Sequence, residues 1–339
     1  MKTYYRPIAQ TDAARPASAL KLAGGRCWFT HVEVLRRGEA PKVESTQDVP
    51  KDVLAGLSAP RASICRLDMS SPHLMGILNV TPDSFSDGGQ FAGVAAAVQQ
   101  AEAMHAAGAS LIDVGGESTR PGADFVPVDD EITRTAPAIR AISSKLDVPI
   151  SIDTRKSEVA RQALLEGASL VNDVSGFTYD PQLAGVAKEA NVPVCVMHAQ
   201  GDPATMQQNP TYDDVLLDVY DFLETQVERL TSLGIARDQI VVDPGIGFGK
   251  TLAHNLALLA RLSLFHGLGC PILLGASRKK FIGTIGKASL AQERMPGSVA
   301  VALEGVAQGA QIVRVHDVAE TRQALNLWQA VTTGDYNGA

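Results

Sequence analysis

From residue 74 onward the chain repeats one pattern, in which a short apolar run ends in polar residues and an amphipathic stretch follows. The runs are near-continuous in Val, Ile and Leu, which is typical of parallel strands buried on both faces. There are eight of them, at 74–79, 110–116, 148–153, 169–174, 192–198, 240–245, 271–277 and 311–316. The pattern therefore predicts eight buried strands that alternate with helices.

The stretches between the runs have the periodicity of helices. Two sets of residues recur at spacings of three and four, as one buried helix face does. They are Leu216, Val219, Leu223, Val227 and Leu230 in one stretch, and Val94, Val98, Ala101 and His105 in another. Glycines that fit helix C-terminal caps precede several strands, namely Gly108, Gly167, Gly234 and Gly309.

Eight strand–helix units over roughly 260 residues predict a (β/α)8 TIM barrel in the α/β class. The alternative is an open doubly wound sheet, which is disfavoured because no Gly-x-Gly-x-x-Gly follows the first strand. We place the barrel at residues 74–335 and an N-terminal extension at 1–73. The extension breaks the pattern, and only residues 27–35 in it read as a strand. It is either an appendage packed on the barrel or a partly ordered arm.

Composition narrows the class of protein. The chain has 339 residues, of which 45% are hydrophobic and 20% charged, as in ordinary soluble domains. We expect a cytoplasmic protein with no membrane span, because no secretory signal and no apolar run of about 18 residues occurs. The four cysteines have spacings that suit neither disulfides nor zinc, so we expect reduced thiols.

The charge is uneven along the chain. Its net value is −7, with 11 Lys/Arg against 7 Asp/Glu in residues 1–73 and 19 against 30 in the remainder. An acidic body argues against nucleic acid as a partner, because nucleic acids select basic surfaces. We therefore expect small-molecule substrates, and any cations that bind an anionic ligand must be local and few.

Polar residues concentrate where the predicted strands end, which is the face of a barrel that carries its chemistry. We predict that they line one pocket: Asn79, Asp113, Glu117, Ser118, Thr119, Arg120, Asp153, Arg155, Asn172, Asp173, His198, Asp243, Ser277, Arg278, Lys279, Arg314 and His316. Two connections on this face, 79–89 and 116–124, are long and polar, as loops that close over a ligand are.

The pocket should hold both signs of charge. Arg120, Lys279, Arg314 and His316 supply cationic donors, whereas Asp153, Asn172 and Asp243 supply acceptors. Such a set suits a ligand with two ends. Carboxylates match the parallel N–H groups of a guanidine-like heterocycle, and the cations match phosphate or carboxylate.

One glycine-rich segment resembles a nucleotide-binding loop without being one. Residues 245–251 read GIGFGKT, but Pro244 stands where the phosphate-binding pattern needs glycine. The interpretation we favour is close backbone approach to a flat ligand, with Phe248 as a packing face. We expect Lys250 to be solvated.

Taken in order, eight motifs resemble one family. They are NVTPDSFSDGG (79–89), GGESTRPGA (115–123), SIDT (151–154), NDVSG (172–176), VMHAQGDP (196–203), DPGIGFGKT (243–251), GASRKKFIG (275–283) and RVHDV (314–318). Together they are similar to the dihydropteroate synthases, over about residues 74–332. The resemblance implies a homodimeric barrel that uses Mg²⁺ to join 6-hydroxymethyl-7,8-dihydropterin diphosphate to p-aminobenzoate, releasing pyrophosphate.

The resemblance also implies residue roles. Pterin and diphosphate would be bound by Asn79, Asp153, Asn172, Met197, Asp243, Phe248, Gly275, Lys279, Arg314 and His316, with Asn79 also binding Mg²⁺. The p-aminobenzoate site would be formed by Phe85, Thr119, Arg120, Pro121 and Lys280, with Phe248 also helping to shape it. Relatives often have serine where Lys280 stands. Asp83, Arg120 and Lys279 would be catalytic, while Asp83 and Asp87 could equally be turn-forming residues.

Two other functions stay open. A methyltetrahydrofolate-binding methyltransferase would share the pterin contacts but not the set that holds a diphosphate. A non-catalytic pterin-binding barrel would lack the intact first and second loops. No paired nucleophile and base is apparent, so we expect a dissociative loss of pyrophosphate instead of covalent catalysis.

Overall fold

The structure is a computed structural model that describes residues 1–81, 89–118, 125–201 and 206–335. Its N-terminal part holds strands β1 (Tyr4–Pro7), β2 (Leu20–Lys21), β3 (Trp28–Phe29), β4 (His31–Leu35) and β5 (Lys42–Ser45), followed by helix α1 (Lys51–Ser58). Strands β1, β4 and β5 form an antiparallel sheet with β4 in the middle. The single strand predicted over 27–35 is divided, because Thr30 separates β3 from β4, and the two pair with different neighbours.

Eight parallel strands form the barrel that the sequence predicted. They are β6 (His73–Asn79), β7 (Leu111–Gly115), β8 (Ile150–Asp153), β9 (Leu170–Asp173), β10 (Val194–Met197), β11 (Ile240–Asp243), β12 (Leu273–Leu274) and β13 (Ile312–Val315). Their order in the sheet is β11-β10-β9-β8-β7-β6-β13-β12, and a parallel bridge between Val242 and Ile272 joins the two ends. The sheet is therefore closed, and the open-sheet alternative is wrong.

Alternation along each strand separates two apolar layers. Side chains such as Leu74, Ile112 and Val242 point outward into the layer beneath the helices. The alternate positions point into the barrel and form a second cluster, made of Met75, Leu111, Leu170, Cys195, Val241, Leu273 and Ile312. Both faces of every strand are thus buried, which explains why the strands read as continuous apolar runs.

The helices lie between consecutive strands. They are α2 (Gly89–Ala106), α3 (Val128–Ser143), α4 (Ser157–Leu165), α5 (Leu183–Glu189), α6 (Val215–Ser232), α7 (Leu252–Ala260), α8 (Lys280–Gly286), α9 (Met295–Ala307) and α10 (Val318–Thr333). The predicted face of α6 is confirmed as buried. The predicted face of α2 is partly wrong, because His105 is exposed and Ala97, Ala101 and Met104 form the buried line.

The glycines predicted to end helices adopt the left-handed backbone that a cap requires. Their φ angles are +99° at Gly108, +110° at Gly167, +98° at Gly234 and +90° at Gly309. No helix in the described ranges is long and apolar enough to cross a membrane.

The N-terminal residues pack along the base and one side of the barrel. Ile64 and Met69 are buried against the inward-facing cluster, so they close the barrel at the N-terminal ends of its strands. On the side, Arg37 pairs with Asp218 and Asp221 of α6 at 2.7 Å each. Ser263 donates a hydrogen bond to the Pro7 carbonyl at 2.8 Å.

Candidate active site

At the C-terminal ends of the strands, two inward-facing glycines lie among the polar groups. A Cβ placed on Gly115 would lie 3.6 Å from Asp153 Cβ and 3.7 Å from Asn79 Oδ1. One on Gly275 would lie 3.5 Å from Asp243 Oδ2 and 3.9 Å from Arg314 Cβ. Side chains at these positions would fill the space between the polar groups. We call this space, bounded by Asn79, Gly115, Asp153, Asp243, Gly275 and Arg314, the rim pocket.

Arg314 joins the acidic groups of the rim pocket. Its Nε donates to Asp113 Oδ2 at 2.6 Å and its Nη2 donates to Asp153 Oδ2 at 2.8 Å. Asn172 completes the cluster, since its amide donates to the Asp113 carboxylate at 3.3 Å. Ion pairs buried to this degree hold their partners in one geometry, because breaking one leaves an uncompensated charge.

One carboxylate oxygen in the cluster has no partner. Asp153 is 6% exposed, and its Oδ1 is buried without a hydrogen-bond partner among the described residues, although Oδ2 faces Arg314. Burial raises the pKa of Asp153, and nearby carboxylates such as Asp113 add to that rise, while Arg314 opposes it. An unpaired buried acceptor of this kind is unfavourable until a donor reaches it.

The opposite wall of the rim pocket is formed by residues 244–250, which we call the glycine loop. Asp243 accepts from the Gly245 backbone N–H at 2.7 Å. Lys279 reaches across Gly247 to donate to the Ile246 carbonyl, and its ammonium lies 4.5 Å from the centre of the Phe248 ring. Burial lowers the pKa of Lys279 to about 8, although the Asp243 carboxylate opposes this shift.

The glycine loop needs its glycines because it passes very close to the neighbouring strand end. Gly245 has a φ of +68°, and a Cβ there would lie 1.8 Å from the His198 carbonyl oxygen and 3.2 Å from Met197 Cγ. No side chain can occupy that space. The close approach in the structure is to the end of β10, where buried Met197 lies beneath the loop. Close approach of the loop to a flat ligand stays a prediction.

The remaining predicted residues fall into two groups. Asn79 and His316 are half-buried at the strand ends, and the ring Nδ1 of His316 lies 3.0 Å from Ser277 Oγ. Lys280 is exposed at the start of α8. The others lie outside the described residues: Asp83, Phe85, Asp87, Thr119, Arg120 and Pro121.

Several polar residues at strand ends do not line the rim pocket. Arg278 pairs with Asp317, and Asp173 accepts from backbone N–H groups of its own turn, including that of Phe177 at 2.7 Å. A buried ion network made of Glu117, Glu131, Arg155 and Lys156 lies behind the rim. The prediction that the polar residues at the strand ends line one pocket is therefore confirmed for only some of them.

The prediction that Lys250 is solvated is wrong. Its side chain is buried, and Nζ lies 2.8 Å from His198 Nδ1. His198 accordingly faces Lys250 and the ring of Phe222, not the rim pocket.

Asp113 was predicted to line the pocket, but the resemblance gave it no role in the site. It lies inside β7, is fully buried and contacts both Arg314 and Asn172. The signal for a specific role is a carboxylate in the middle of an apolar strand. Such a group needs a buried partner, and alternation places it on the inward face two residues before Gly115.

These features define a class of protein: a (β/α)8-barrel enzyme whose acidic and cationic groups meet over the C-terminal ends of the strands. A family model described as pterin binding enzyme matches residues 75–316. The chain belongs to this family.

Individual relatives agree with that assignment. Dihydropteroate synthase of Escherichia coli K12 is 48% identical over 271 residues, which are 80% of this chain and 95% of that protein. The Yersinia pestis dihydropteroate synthase with a sulfonamide drug complex is 46% identical, with a TM-score of 0.74 over 78% of this chain and 96% of that one.

The Xanthomonas albilineans dihydropteroate synthase with 4-aminobenzoic acid is 43% identical, with a TM-score of 0.75 over 80% of this chain and 98% of that one. The predicted family, the barrel and the prediction of an enzyme are confirmed.

Proposed function

We propose that the protein is a dihydropteroate synthase, which joins the methylene carbon of 6-hydroxymethyl-7,8-dihydropterin diphosphate to the amine of p-aminobenzoate in folate biosynthesis. The observation that carries the proposal is the unpartnered Asp153 Oδ1 beside a space that two glycines keep open. The names of the relatives, which match over nearly their whole length, support it.

The rim pocket suits a flat ring with N–H groups on one edge. Asp153 Oδ1 is free to accept one of them, and Asp243 lies on the far side of the space that Gly275 leaves. Asn172, held by Asp113, can offer its amide oxygen to a second donor. Charge-assisted bonds of this kind contribute about 1.5–3 kcal/mol each, so two of them suffice to fix the orientation of the ring.

The reaction needs the protein to hold two substrates and to stabilise a leaving anion. The bond between the methylene carbon and the diphosphate oxygen breaks, and the pyrophosphate leaves with both electrons. The amine nitrogen then bonds to the carbon and loses one proton. Lys279 and His316 supply positive or donor groups near the pocket, and such groups act most strongly where water is excluded. The predicted roles of Arg120 and Asp83 remain predictions.

Magnesium is part of this proposal. Asn79 offers one hard amide oxygen at the rim, and no group of three His, Cys, Asp or Glu that could bind a metal occurs in the described ranges. This donor set fits an ion whose other ligands are diphosphate oxygens and water. Bound there, Mg²⁺ would neutralise charge on the leaving group.

Arg314 needs a more restricted role than diphosphate binding alone. Its guanidinium already faces two carboxylates, so much of its charge is balanced inside the site. We propose that it mainly orients Asp113 and Asp153 and presents only its remaining donors to the ligand.

The test is a pyrophosphate-release assay with both substrates and Mg²⁺. Release that requires p-aminobenzoate supports the synthase. Pterin binding without release would indicate a non-catalytic barrel, whereas methyl transfer from methyltetrahydrofolate would indicate the methyltransferase alternative. The homodimer and the cytoplasmic location remain predictions.

A further inference from the structure

We propose that Lys250 is a positioning residue: its buried amino group, whose hydrogen bonds within the described residues go to uncharged groups, fixes the glycine loop so that Phe248 forms the wall for the ring of the substrate. This inference rests on the proposed function, because the substrate is taken to be a pterin. Lys250 acts on the rim pocket through the loop and, at longer range, through its electrostatic interaction with Asp243.

The contacts of Lys250 join two parts of the chain. Its Nζ lies 2.8 Å from His198 Nδ1, 3.3 Å from the His198 carbonyl oxygen and 3.0 Å from the Phe248 carbonyl oxygen. Lys250 donates to the two carbonyls, and as an ammonium it can only donate to His198 Nδ1 as well. Burial lowers the pKa of Lys250, and the Asp243 carboxylate opposes this shift. The three contacts join the end of β10 to the middle of the glycine loop.

His198 is suited to this task because it is held neutral. It is buried, with its ring edge-on to Phe222 at a centroid distance of 4.9 Å. Burial and the neighbouring Lys250 lower its pKa to about 2, so it remains an acceptor at any physiological pH. A protonated histidine would repel the ammonium and free the loop.

Almost every peptide group of the glycine loop is held by a side chain. Asn255 accepts from the Gly247 N–H at 2.7 Å, and Tyr212 donates to the Gly249 carbonyl at 2.7 Å. Gln207 donates to the Gly247 carbonyl, and Lys279 donates to that of Ile246. Within this set Lys250 alone holds the carbonyl of Phe248, the residue whose ring lies beside the Lys279 ammonium.

Burying a lysine without a hydrogen-bonded carboxylate is unfavourable. An apolar residue at this buried position would give a more stable protein if stability were the only requirement. Lys250 is 3% exposed, and its hydrogen-bond partners are a ring nitrogen and two carbonyls. The cost makes sense if the loop geometry, and with it the position of Phe248, matters to ligand binding.

The test compares Lys250→Met with the control Lys51→Met, an exposed lysine of α1. We expect Lys250→Met to raise KM for the pterin diphosphate about tenfold. Binding of 6-hydroxymethylpterin, which has no diphosphate, should weaken by the same factor. Lys51→Met should change none of these values.

A double-mutant cycle separates positioning from general stability. If Lys250 acts through Phe248, adding Lys250→Met to a Phe248→Ala protein should weaken pterin binding less than twofold further. A second full tenfold loss would refute the inference, as would pterin binding by Lys250→Met within twofold of wild type. If Lys250→Met does not fold, Lys250→Gln is judged by the same criteria.

Direct binding of 6-hydroxymethylpterin also separates the two proposals. This measurement needs no turnover, so it tests the role of Lys250 even if the wild-type protein releases no pyrophosphate. Absence of pyrophosphate release would count against the synthase alone. A wild-type protein that does not bind the pterin at all would refute both proposals.

Discussion

Replacing Asp153 with asparagine changes the rim pocket at the oxygen that has no partner. The carboxylate has Oδ2 on Arg314 Nη2 at 2.8 Å and Oδ1 unbound. Asparagine keeps the shape but carries one oxygen and one NH₂ group. If the oxygen faces the ligand, the NH₂ faces the donors of Arg314; if the oxygen faces Arg314, the NH₂ faces the ring N–H groups. In either orientation, the NH₂ group of the asparagine faces another hydrogen-bond donor.

The magnitude follows from two contributions. A hydrogen bond to a charged group contributes about 1.5–3 kcal/mol, and a buried donor left opposite another donor costs about 1–3 kcal/mol. Their sum is about 2.5–6 kcal/mol, and its lower end corresponds to about 60-fold. We therefore expect kcat/KM for the pterin diphosphate to fall at least about 60-fold in Asp153→Asn.

The assay is pyrophosphate release with the pterin diphosphate varied, together with direct binding of 6-hydroxymethylpterin. Asp238→Asn, at an exposed aspartate, serves as the control for the same chemical change. Thermal unfolding of both variants shows whether each is folded. If folded Asp153→Asn keeps kcat/KM within threefold of wild type, the role assigned to this carboxylate is wrong.

Three further predictions concern charge and packing. Because burial lowers the pKa of Lys279 to about 8, the ammonium is lost as pH rises through that value; kcat/KM should fall above about pH 8, and Lys279→Arg should show no such fall in its residual activity. Arg314→Met leaves Asp113 and Asp153 buried without their cation, so its unfolding free energy should drop by about 3–5 kcal/mol at pH 8. Because the pKa of Asp153 is raised in the folded state, this carboxylate binds a proton as the pH falls and no longer carries an uncompensated charge. The loss of unfolding free energy should therefore be smaller in denaturant titrations at pH 5.5. An equal loss at both pH values contradicts this prediction. Ile64→Ala should cost about 2–5 kcal/mol of stability with kcat/KM within twofold of wild type, since Ile64 lies at the opposite end of the barrel from the rim pocket.

The barrel could be predicted from the sequence because its determinants are local. Continuous apolar runs report burial on both strand faces, and glycines such as Gly108 and Gly167 report left-handed turns that other residues adopt at a cost. The assignment of Asp153 and Asp243 to one pocket also followed, since the C-terminal ends of parallel strands meet at one face.

What the sequence did not reveal depends on which neighbour a side chain meets. Lys250 follows a glycine-rich turn, where a lysine is usually solvated, and only the distant His198 explains its burial. His105 was placed on the buried face of α2 by its spacing, yet a rotation of the helix toward β6 buries Met104 instead, where it packs against Gly76. Such pairings between distant segments have no local signature.

The interior of the barrel is apolar at the base and charged at the rim. This gradient explains how one fold combines a stable core with a site whose buried charges are unfavourable. At the base, Ile64 and Met69 from the N-terminal segment close an apolar layer that includes Leu111. Two residues after Leu111 on β7, Asp113 contacts Arg314, and two residues further Gly115 borders the rim pocket. Because apolar burial at the base is independent of the ligand, it can offset the unfavourable burial of charge at the rim.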